Sequence, residues 1–289
     1  MQGRLSPLVD GKIQCFPWNQ WRAEFALAQD CHLSLMEWTL DQECLYENPL
    51  MTTKGQKEIG ELCQLHDLTI PSLTGDCFMQ APFWKFKNTR QTELKRDFIA
   101  IAHACNAVGI SIIVVPLVDN GALENDQEKR LLIDFLVENS MLFRSLGLKI
   151  AFECDFAPAA LKGFIDELDA DLFGINYDIG NSAALGFDER EEFASYAARI
   201  VNVHVKDRLL HGTTVPLGTG NANFELVFAL LDEYCYSGNL ILQTARASDD
   251  DHSGVLLKYG DMVASWMAIG NRSGQTPPSI RPASGSEYL

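Results

Sequence analysis

The chain has 289 residues, of which 47% are hydrophobic, and its 39 acidic and 23 basic residues give a net charge of −16 at pH 7. A chain of this length and apolar content can bury one complete domain core, so no second domain is required. The acidic charge argues against nucleic acid as a partner, because phosphate binding needs a basic face. The longest apolar run, residues 110–118, is too short to cross a bilayer.

The amino terminus and the cysteines indicate the compartment. Residues 1–10 lack the apolar stretch of a secretory signal. The eight cysteines form no Cys-x-x-Cys pair, so we expect reduced thiols rather than a disulfide framework. We therefore predict a cytoplasmic protein with no membrane partner, and the sequence leaves homo-oligomerisation open.

Eight short apolar or alternating runs are predicted to be buried parallel strands. In chain order they cover residues 1–5, 33–38, 68–73, 110–116, 148–153, 173–178, 200–205 and 239–243. Eight segments with helical spacing alternate with them and cover residues 21–30, 55–66, 91–108, 127–146, 158–168, 189–199, 224–236 and 255–268. This alternation predicts an α/β protein, a single (β/α)₈ TIM barrel over residues 1–270.

Residues 271–289 differ from the rest of the chain. They contain three prolines and several serines and glycines, and they lack apolar periodicity. We predict that they form a short disordered, mobile tail.

Polar side chains end four of the predicted strands. They are Glu153, Asp178, His204 and Gln243. The first three are separated by 25 and 26 residues, which matches one strand-plus-helix unit of a TIM barrel. Because the carboxyl ends of the strands meet at one rim of such a barrel, we expect these side chains to lie close together. Ligands of these types can hold one divalent metal ion.

Four segments carry a resemblance to a known family. They read QGRL at residues 2–5, NYDIGN at 176–181, VHVKDR at 203–208 and PLGTG at 216–220. Together with the strand-end residues, their order resembles the sugar phosphate isomerase/epimerase family of xylose isomerase-like TIM barrels, over residues 1–268. The resemblance implies one Mn²⁺, Co²⁺, Zn²⁺ or Mg²⁺ ion bound by a Glu, an Asp, a His and a second Glu. These ligands map onto Glu153, Asp178, His204 and, with a change, Gln243.

Gln243 departs from the family pattern. Its amide oxygen can ligate a metal, but the amide cannot take or give a proton as a carboxylate does. Epimerases of the family use two carboxylates, one on each face of the substrate carbon, whereas one base can suffice for an aldose–ketose isomerase. We therefore predict an isomerase or epimerase, with aldose–ketose isomerisation favoured. Glu37, near the end of the second predicted strand, is a second candidate catalytic group that can replace the missing base.

The expected chemistry is proton transfer next to a carbonyl. A divalent ion that binds the carbonyl and the adjacent hydroxyl of a sugar acidifies the C–H between them and stabilises the enediolate that forms. Glu153 is the expected base. His204 is expected to ligate as a neutral imidazole, with its other nitrogen bonded to an acceptor.

Polar, cationic and aromatic side chains near the strand ends are predicted to bind the substrate, which is a sugar or sugar phosphate. TIM barrels often bind phosphate in the loops after the seventh and eighth strands, and the backbone amides of residues 218–220 add donors there. The predicted substrate-binding residues are Arg4, Lys206, Arg208, Arg246, Asn181 and Trp38.

Two other functions remain open from the sequence. One is a lyase of the same fold that dehydrates a keto-polyol, which needs a general acid near the leaving hydroxyl. The other is a non-catalytic sugar-binding barrel. A relative of this barrel type cuts abasic DNA with three zinc ions and a cluster of histidines. The six histidines of this chain disfavour that activity, because His32, His66 and His103 fall on or beside predicted helices.

Overall fold

The structure, a computed structural model, describes residues 1–12 and 14–273. Of the predicted tail, residues 271–273 continue the last helix instead of leaving it. Residues 274–289 of that tail lie outside the described residues.

The strands form one barrel sheet and one small hairpin. They are β1 (Leu35–Thr39), β2 (Thr69–Thr74), β3 (Ile112–Leu117), β4 (Lys149–Cys154), β5 (Phe173–Asp178), β6 (Ile200–Val205), β7 (Asp207–Arg208), β8 (Thr214–Val215) and β9 (Asn239–Leu242). Strands β7 and β8 pair antiparallel. The other seven are parallel and pair in chain order, β1-β2-β3-β4-β5-β6-β9. This order confirms the predicted TIM barrel, with seven strands in a nearly closed ring.

Helices connect successive strands, as predicted. They are α1 (Ala23–Asp30), α2 (Thr53–His66), α3 (Asp76–Gln80), α4 (Asn88–Val108), α5 (Asp126–Glu138), α6 (Ser140–Ser145), α7 (Pro158–Ile165), α8 (Ile179–Leu185), α9 (Glu189–Tyr196), α10 (Phe224–Glu233) and α11 (His252–Ser273). The helix predicted over residues 127–146 is divided at Asn139 into α5 and α6. Helices α3 and α8 were not predicted, and they begin directly after β2 and β5 at the rim that carries the site. None of the helices in residues 1–12 and 14–273 has both the length and the apolar character needed to span a membrane.

Residues 1–5 occupy the gap between β9 and β1 without forming a strand. The Met1 nitrogen donates to the Leu242 carbonyl at 3.0 Å, and the Gln2 amide donates to the Glu37 carbonyl at 3.0 Å. Gly3 has a φ of +80°, a left-handed conformation that interrupts extended backbone. The predicted first strand is therefore wrong in conformation, although the segment bridges its two neighbours.

Side-chain alternation along β1 separates the barrel interior from its outer face. Glu37 points inward, where its carboxylate accepts hydrogen bonds from Ser72 of β2 and from Asn202 across the barrel on β6. Trp38, the next residue, points outward and packs against Phe16. The interior around Glu37 is therefore polar and hydrogen-bonded, while most of the apolar core lies between the sheet and the helices.

Candidate active site

Three neighbouring strands bring their terminal polar residues together. Glu153 and His204 lie one residue before the ends of β4 and β6, and Asp178 ends β5. One ligand atom of each lies within 4.8 Å of the others. Asp178 and His204 are register partners in the sheet. All three side chains are buried. Parallel pairing of successive strands thus produces the cluster that the strand-end pattern predicted.

Asparagine side chains and a helix N-terminus fix the two carboxylates. Asn181 Nδ2 donates to Glu153 Oε1 at 2.7 Å, and Asn176 Nδ2 donates to Oε2 at 2.8 Å. Asp178 is the N-cap of α8, since its Oδ1 accepts from the Asn181 backbone amide at 2.9 Å. The second oxygen of Asp178, Oδ2, is thereby directed away from the helix and toward the site.

Glu37 lies beneath the cluster and holds the imidazole of His204. Glu37 Oε1 is 2.8 Å from His204 Nε2, and the Glu37 side chain is 0% exposed. Ser72, Thr74 and Asn202 donate to the same carboxylate. The other imidazole nitrogen, Nδ1, lies 3.2 Å from Glu153 Oε2. The structure therefore places Glu37 under the ligand set and not on the surface that a substrate would touch.

The charges of this cluster support one another. Burial alone would lower the pKa of His204, but the carboxylates of Glu37 and Glu153 outweigh burial and raise that pKa to about 10. Burial likewise opposes ionisation of Glu153, but its hydrogen bond with His204 and the charge of His204 hold its pKa below the ordinary value. The same balance holds the pKa of Glu37 at about 2. Glu153 and Glu37 are therefore carboxylates at neutral pH.

Lys206 connects Gln243 to the cluster by hydrogen bonds. The Lys206 ammonium donates to Asp178 Oδ2 and to Gln243 Oε1, each at 3.0 Å, and to Asn181 Oδ1 at 3.1 Å. Oxygen atoms of β5, α8 and the β9 end thus converge on one point beside the buried carboxylates. Such convergence of acceptors marks a position that favours a cation.

The donor set fits a divalent metal ion. It offers two carboxylates, one imidazole nitrogen and, at Gln243, one amide oxygen, which together suit Zn²⁺, Mn²⁺, Co²⁺ or Mg²⁺. The donors belong to Glu153, Asp178, His204 and Gln243, and the first three already lie within 4.8 Å of one another. The carboxylates supply a charge of −2, which a divalent ion would neutralise.

A cavity of about 400 Å³, a size that accommodates a small organic molecule, is lined by Glu153 of the cluster and by Gln243. Of the predicted substrate-binding residues, Asn181, Lys206 and Arg208 line it. Arg208 Nη1 donates to Asn181 Oδ1 at 2.8 Å, which holds its guanidinium at the wall. The three residues present cationic and amide groups to a bound molecule.

Arg4, Arg246 and Trp38 are not among the described residues that line this cavity. Arg4 Nη2 donates to Gln14 Oε1 at 3.2 Å, so its guanidinium supports the wall from behind. Arg246 Nε donates to the Ser6 carbonyl at 3.0 Å and braces the amino-terminal segment.

Trp38 lies on the other face of β1, where its indole is 0% exposed and donates to Asn48. Strand alternation explains this correction: the inward position on β1 belongs to Glu37. Trp38 is therefore not positioned to contact a molecule in the cavity.

The glycine-rich loop at 218–220 was expected to offer amides to a phosphate. In the structure Gly218 N and Gly220 N donate to Asp207 Oδ2, at 2.9 and 2.8 Å, and Ala222 N donates to Oδ1 at 3.1 Å. Asp207 is buried, so these amides are committed within the protein. The expected use of the Gly218 and Gly220 amides as phosphate donors is therefore wrong.

Two residues of the cavity wall were missed by the sequence analysis. Gln14 Nε2 donates to both oxygens of Asp76, at 2.9 and 2.7 Å, and Gln243 Nε2 donates to Gln14 Oε1 at 3.0 Å. We call Gln14, Asp76 and Gln243 the amide wall. Asp76 follows β2 by two residues, so the rule that found the other strand-end groups could have found it. Gln14 lies in a segment with no periodicity and gave no such signal.

Comparisons with known proteins agree with this fold. A family model described as a xylose isomerase-like TIM barrel matches residues 25–258. The inosose dehydratase of Clostridium perfringens is 23% identical in an alignment of 252 residues, which covers 71% of this chain and 82% of that protein. The L-ribulose-5-phosphate 3-epimerase UlaE of Shigella sonnei is 26% identical over 247 residues, which cover 83% of this chain and 82% of that protein. Similar proteins thus include a dehydratase and a sugar-phosphate epimerase.

Solved structures of similar fold include two with metal ions. The IOLI protein with a bound zinc atom has a TM-score of 0.69 and 16% identity, covering 86% of this chain and 92% of that chain. A xylose isomerase-like TIM barrel protein from Mycobacterium smegmatis, in complex with magnesium, has a TM-score of 0.65 and 16% identity, covering 90% and 92%. At these identities the likeness shows the shared fold.

Proposed function

Since this chain belongs to the xylose isomerase-like TIM barrel family, we propose that it is a metal-dependent isomerase or epimerase. Its substrate is a sugar or sugar phosphate, and the reaction moves a proton on the carbon next to a carbonyl. The observation that carries the proposal is the buried cluster of Glu153, Asp178 and His204, of which Glu153 lines a cavity of about 400 Å³.

In this proposal Glu153, Asp178, His204 and Gln243 hold one divalent ion, Mn²⁺, Co²⁺, Zn²⁺ or Mg²⁺. Such an ion, when bound, polarises a carbonyl and stabilises negative charge on the neighbouring oxygens. His204 supplies Nδ1 as a neutral imidazole, while its Nε2–H donates to Glu37. Glu37 therefore acts as a positioning residue for a ligand, and the proton on Nδ1 competes with the metal.

Glu153 is the proposed base. Its carboxylate is ionised, is 7% exposed and borders the cavity. The hydrogen bonds from Asn181 and Asn176 fix the direction of both oxygens, which lets the group accept a carbon-bound proton in one geometry. Transfer of that proton leaves an enediolate in the cavity.

Lys206, Arg208 and Asn181 are the proposed substrate-binding groups. Their ammonium, guanidinium and amide groups border the cavity beside Glu153. They suit sugar hydroxyls, a phosphate or a developing enediolate oxygen, because each can donate hydrogen bonds and two carry positive charge.

Proton exchange in D₂O tests this function. The purified protein, loaded with each of the four metals in turn, is incubated with a panel of aldoses, ketoses and their phosphates and followed by NMR. We expect deuterium at the carbon next to the carbonyl together with isomerised or epimerised sugar, in at least one combination. Loss of water without isomerisation would instead support a keto-polyol dehydratase, and one similar protein is an inosose dehydratase. Tight binding without either reaction would support a sugar-binding barrel.

Metal analysis tests the ligand assignment separately. We expect about one divalent ion per chain after dialysis against excess metal, and loss of that ion in Asp178→Ala. An unchanged metal content in this variant would contradict the assignment, whatever the activity.

A further inference from the structure

Asp76 places a second buried carboxyl group in the wall of the cavity. It is the first residue of α3, directly after β2, and it is 5% exposed. Asp76 and Glu153 border the same cavity. A group in this position can reach a bound molecule that also contacts Glu153.

The amide wall runs along the rim from the end of β2 to the end of β9. Following the ring, Asp76 follows β2 and Gln243 follows β9, with β1 and the amino-terminal segment between them. Gln14 spans this arc, since it donates to Asp76 and accepts from Gln243. Glu153 lies near the end of β4, and in the ring only β3 stands between β4 and β2, so the two carboxyl groups approach the cavity from positions two strands apart.

We propose that Asp76 is the second acid–base residue of the site, which exchanges a proton on the face of the enediolate opposite to Glu153. The inference rests on the proposed function. Glu153 takes the proton from the substrate carbon, and the carbon–hydrogen electron pair enters the enediolate. The carboxylic acid of Asp76 then gives its proton to the other face of that carbon. The product is inverted, Asp76 is left as a carboxylate and Glu153 as an acid, and exchange with water resets both.

This assignment resolves the departure at Gln243. An amide at residue 243 cannot exchange protons, and the sequence alone therefore favoured isomerisation on one face. In the structure Gln243 reaches Gln14, and Gln14 holds Asp76 by both oxygens. The acid–base group thus lies one side chain further along the wall, and inversion of a carbon next to the carbonyl becomes the expected reaction.

The surroundings of Asp76 suit a proton donor near neutral pH. Burial raises the pKa of Asp76 to about 7, and the hydrogen bond from Gln14 opposes this rise. The negative charges of Asp41 and Glu153 add to the rise, and Arg4 lowers it. A carboxyl group with a pKa near the working pH can both give and take a proton.

The test compares Asp76→Asn with the wild type, the metal-loaded full chain being used throughout. A panel of ketoses and ketose phosphates in D₂O is followed by NMR, which separates deuterium uptake at carbon from inversion. We expect the wild type to do both. In Asp76→Asn we expect deuterium uptake to continue, while inversion falls by at least about 10²-fold, as on loss of a general acid. Retained uptake also shows that the variant is folded.

Two further variants complete the design. Asp76→Glu keeps a carboxyl group and should recover part of the inversion. Asp119→Asn removes an exposed carboxylate at the rim of the same cavity and should invert like the wild type.

The outcomes separate the two proposals. Wild-type protein that exchanges deuterium without inversion, or an Asp76→Asn variant that inverts at the wild-type rate, overturns the role of Asp76 and leaves the proposed function standing. Wild-type protein that neither exchanges nor inverts with any sugar overturns both.

Discussion

The cavity is bordered by two buried carboxyl groups whose pKa values are shifted in opposite directions. On one wall Glu153 is 7% exposed, and on the other Asp76 is 5% exposed, so both have lost almost all contact with water. Burial raises the pKa in each case, yet the pKa of Glu153 ends below its ordinary value and that of Asp76 rises to about 7.

The partners of each group explain the difference. Glu153 faces His204 at 3.2 Å and feels the charge of Lys206, so positive charge replaces the water that it lost. Asp76 receives its hydrogen bonds from the neutral amide of Gln14, which compensates a negative charge less well. Residue type and burial alone therefore do not decide in which direction the pKa of a buried carboxyl group shifts, because the charge of the neighbours also contributes.

Replacement of Glu153 by Gln should have the largest effect on activity. The variant removes the proposed base and one ligand charge, so we expect turnover to fall by at least about 10²–10⁴-fold, as for other general bases. Steady-state rates on the substrate found in D₂O measure the effect. The matched control is Asp171→Asn, an exposed carboxylate before the start of β5, at the end of the barrel away from the cavity, which should cost little. Equal losses in both variants would show that general electrostatics, and not the base, is being measured.

The pH dependence of the free energy of unfolding tests the raised pKa of Asp76. Its ordinary pKa is 3.8 and its pKa in the fold is about 7. Between these values the folded protein binds the proton that the unfolded chain releases, so Asp76 lowers the free energy of unfolding as pH rises. One pKa unit is worth about 1.4 kcal/mol, so Asp76→Asn should gain up to about 4 kcal/mol over the wild type between pH 4 and 8.

Urea unfolding at several pH values measures this gain. Asp119→Asn should follow the wild-type pH dependence, since that side chain is exposed. Parallel curves for Asp76→Asn and the wild type would mean that Asp76 is ionised in the fold, and the contrast between the walls would disappear.

Replacement of Lys206 should have a smaller effect, which concerns metal binding next to Glu153. Its ammonium bonds to two of the proposed ligands, Asp178 and Gln243, so a divalent ion must displace or repel it. A unit charge at 4 Å is worth about 1 kcal/mol even in water, and a divalent ion doubles this. Lys206→Met should therefore tighten metal binding by at least about tenfold, measured by isothermal titration.

Lys149→Met is the matched control, because Lys149 begins β4 at the opposite end of the strand. This control should leave metal affinity unchanged. Weaker binding in Lys206→Met would show that the lysine supports the metal instead of competing with it.

The barrel and the cluster of Glu153, Asp178 and His204 at its rim could be predicted from local patterns. Alternating apolar strands and helices fix a parallel barrel, and in such a barrel the strand ends share one rim. For that reason Glu153, Asp178 and His204 were found without any knowledge of distances. The conformation of residues 1–5 was missed, because one positive φ at Gly3 interrupts an otherwise strand-like segment.

Only the tertiary structure decided which of these groups lie together and which neighbours surround them. Gln14 and Asp76 are 62 residues apart, and Gln14 and Gln243 are 229 apart, so closure of the ring is what brings the amide wall together. The same closure places Glu37 beneath His204, 167 residues away, and not in the cavity. A sequence shows which carboxyl groups reach the rim. Their protonation depends on the charge of neighbours from distant segments, and that charge is known only once the barrel has closed.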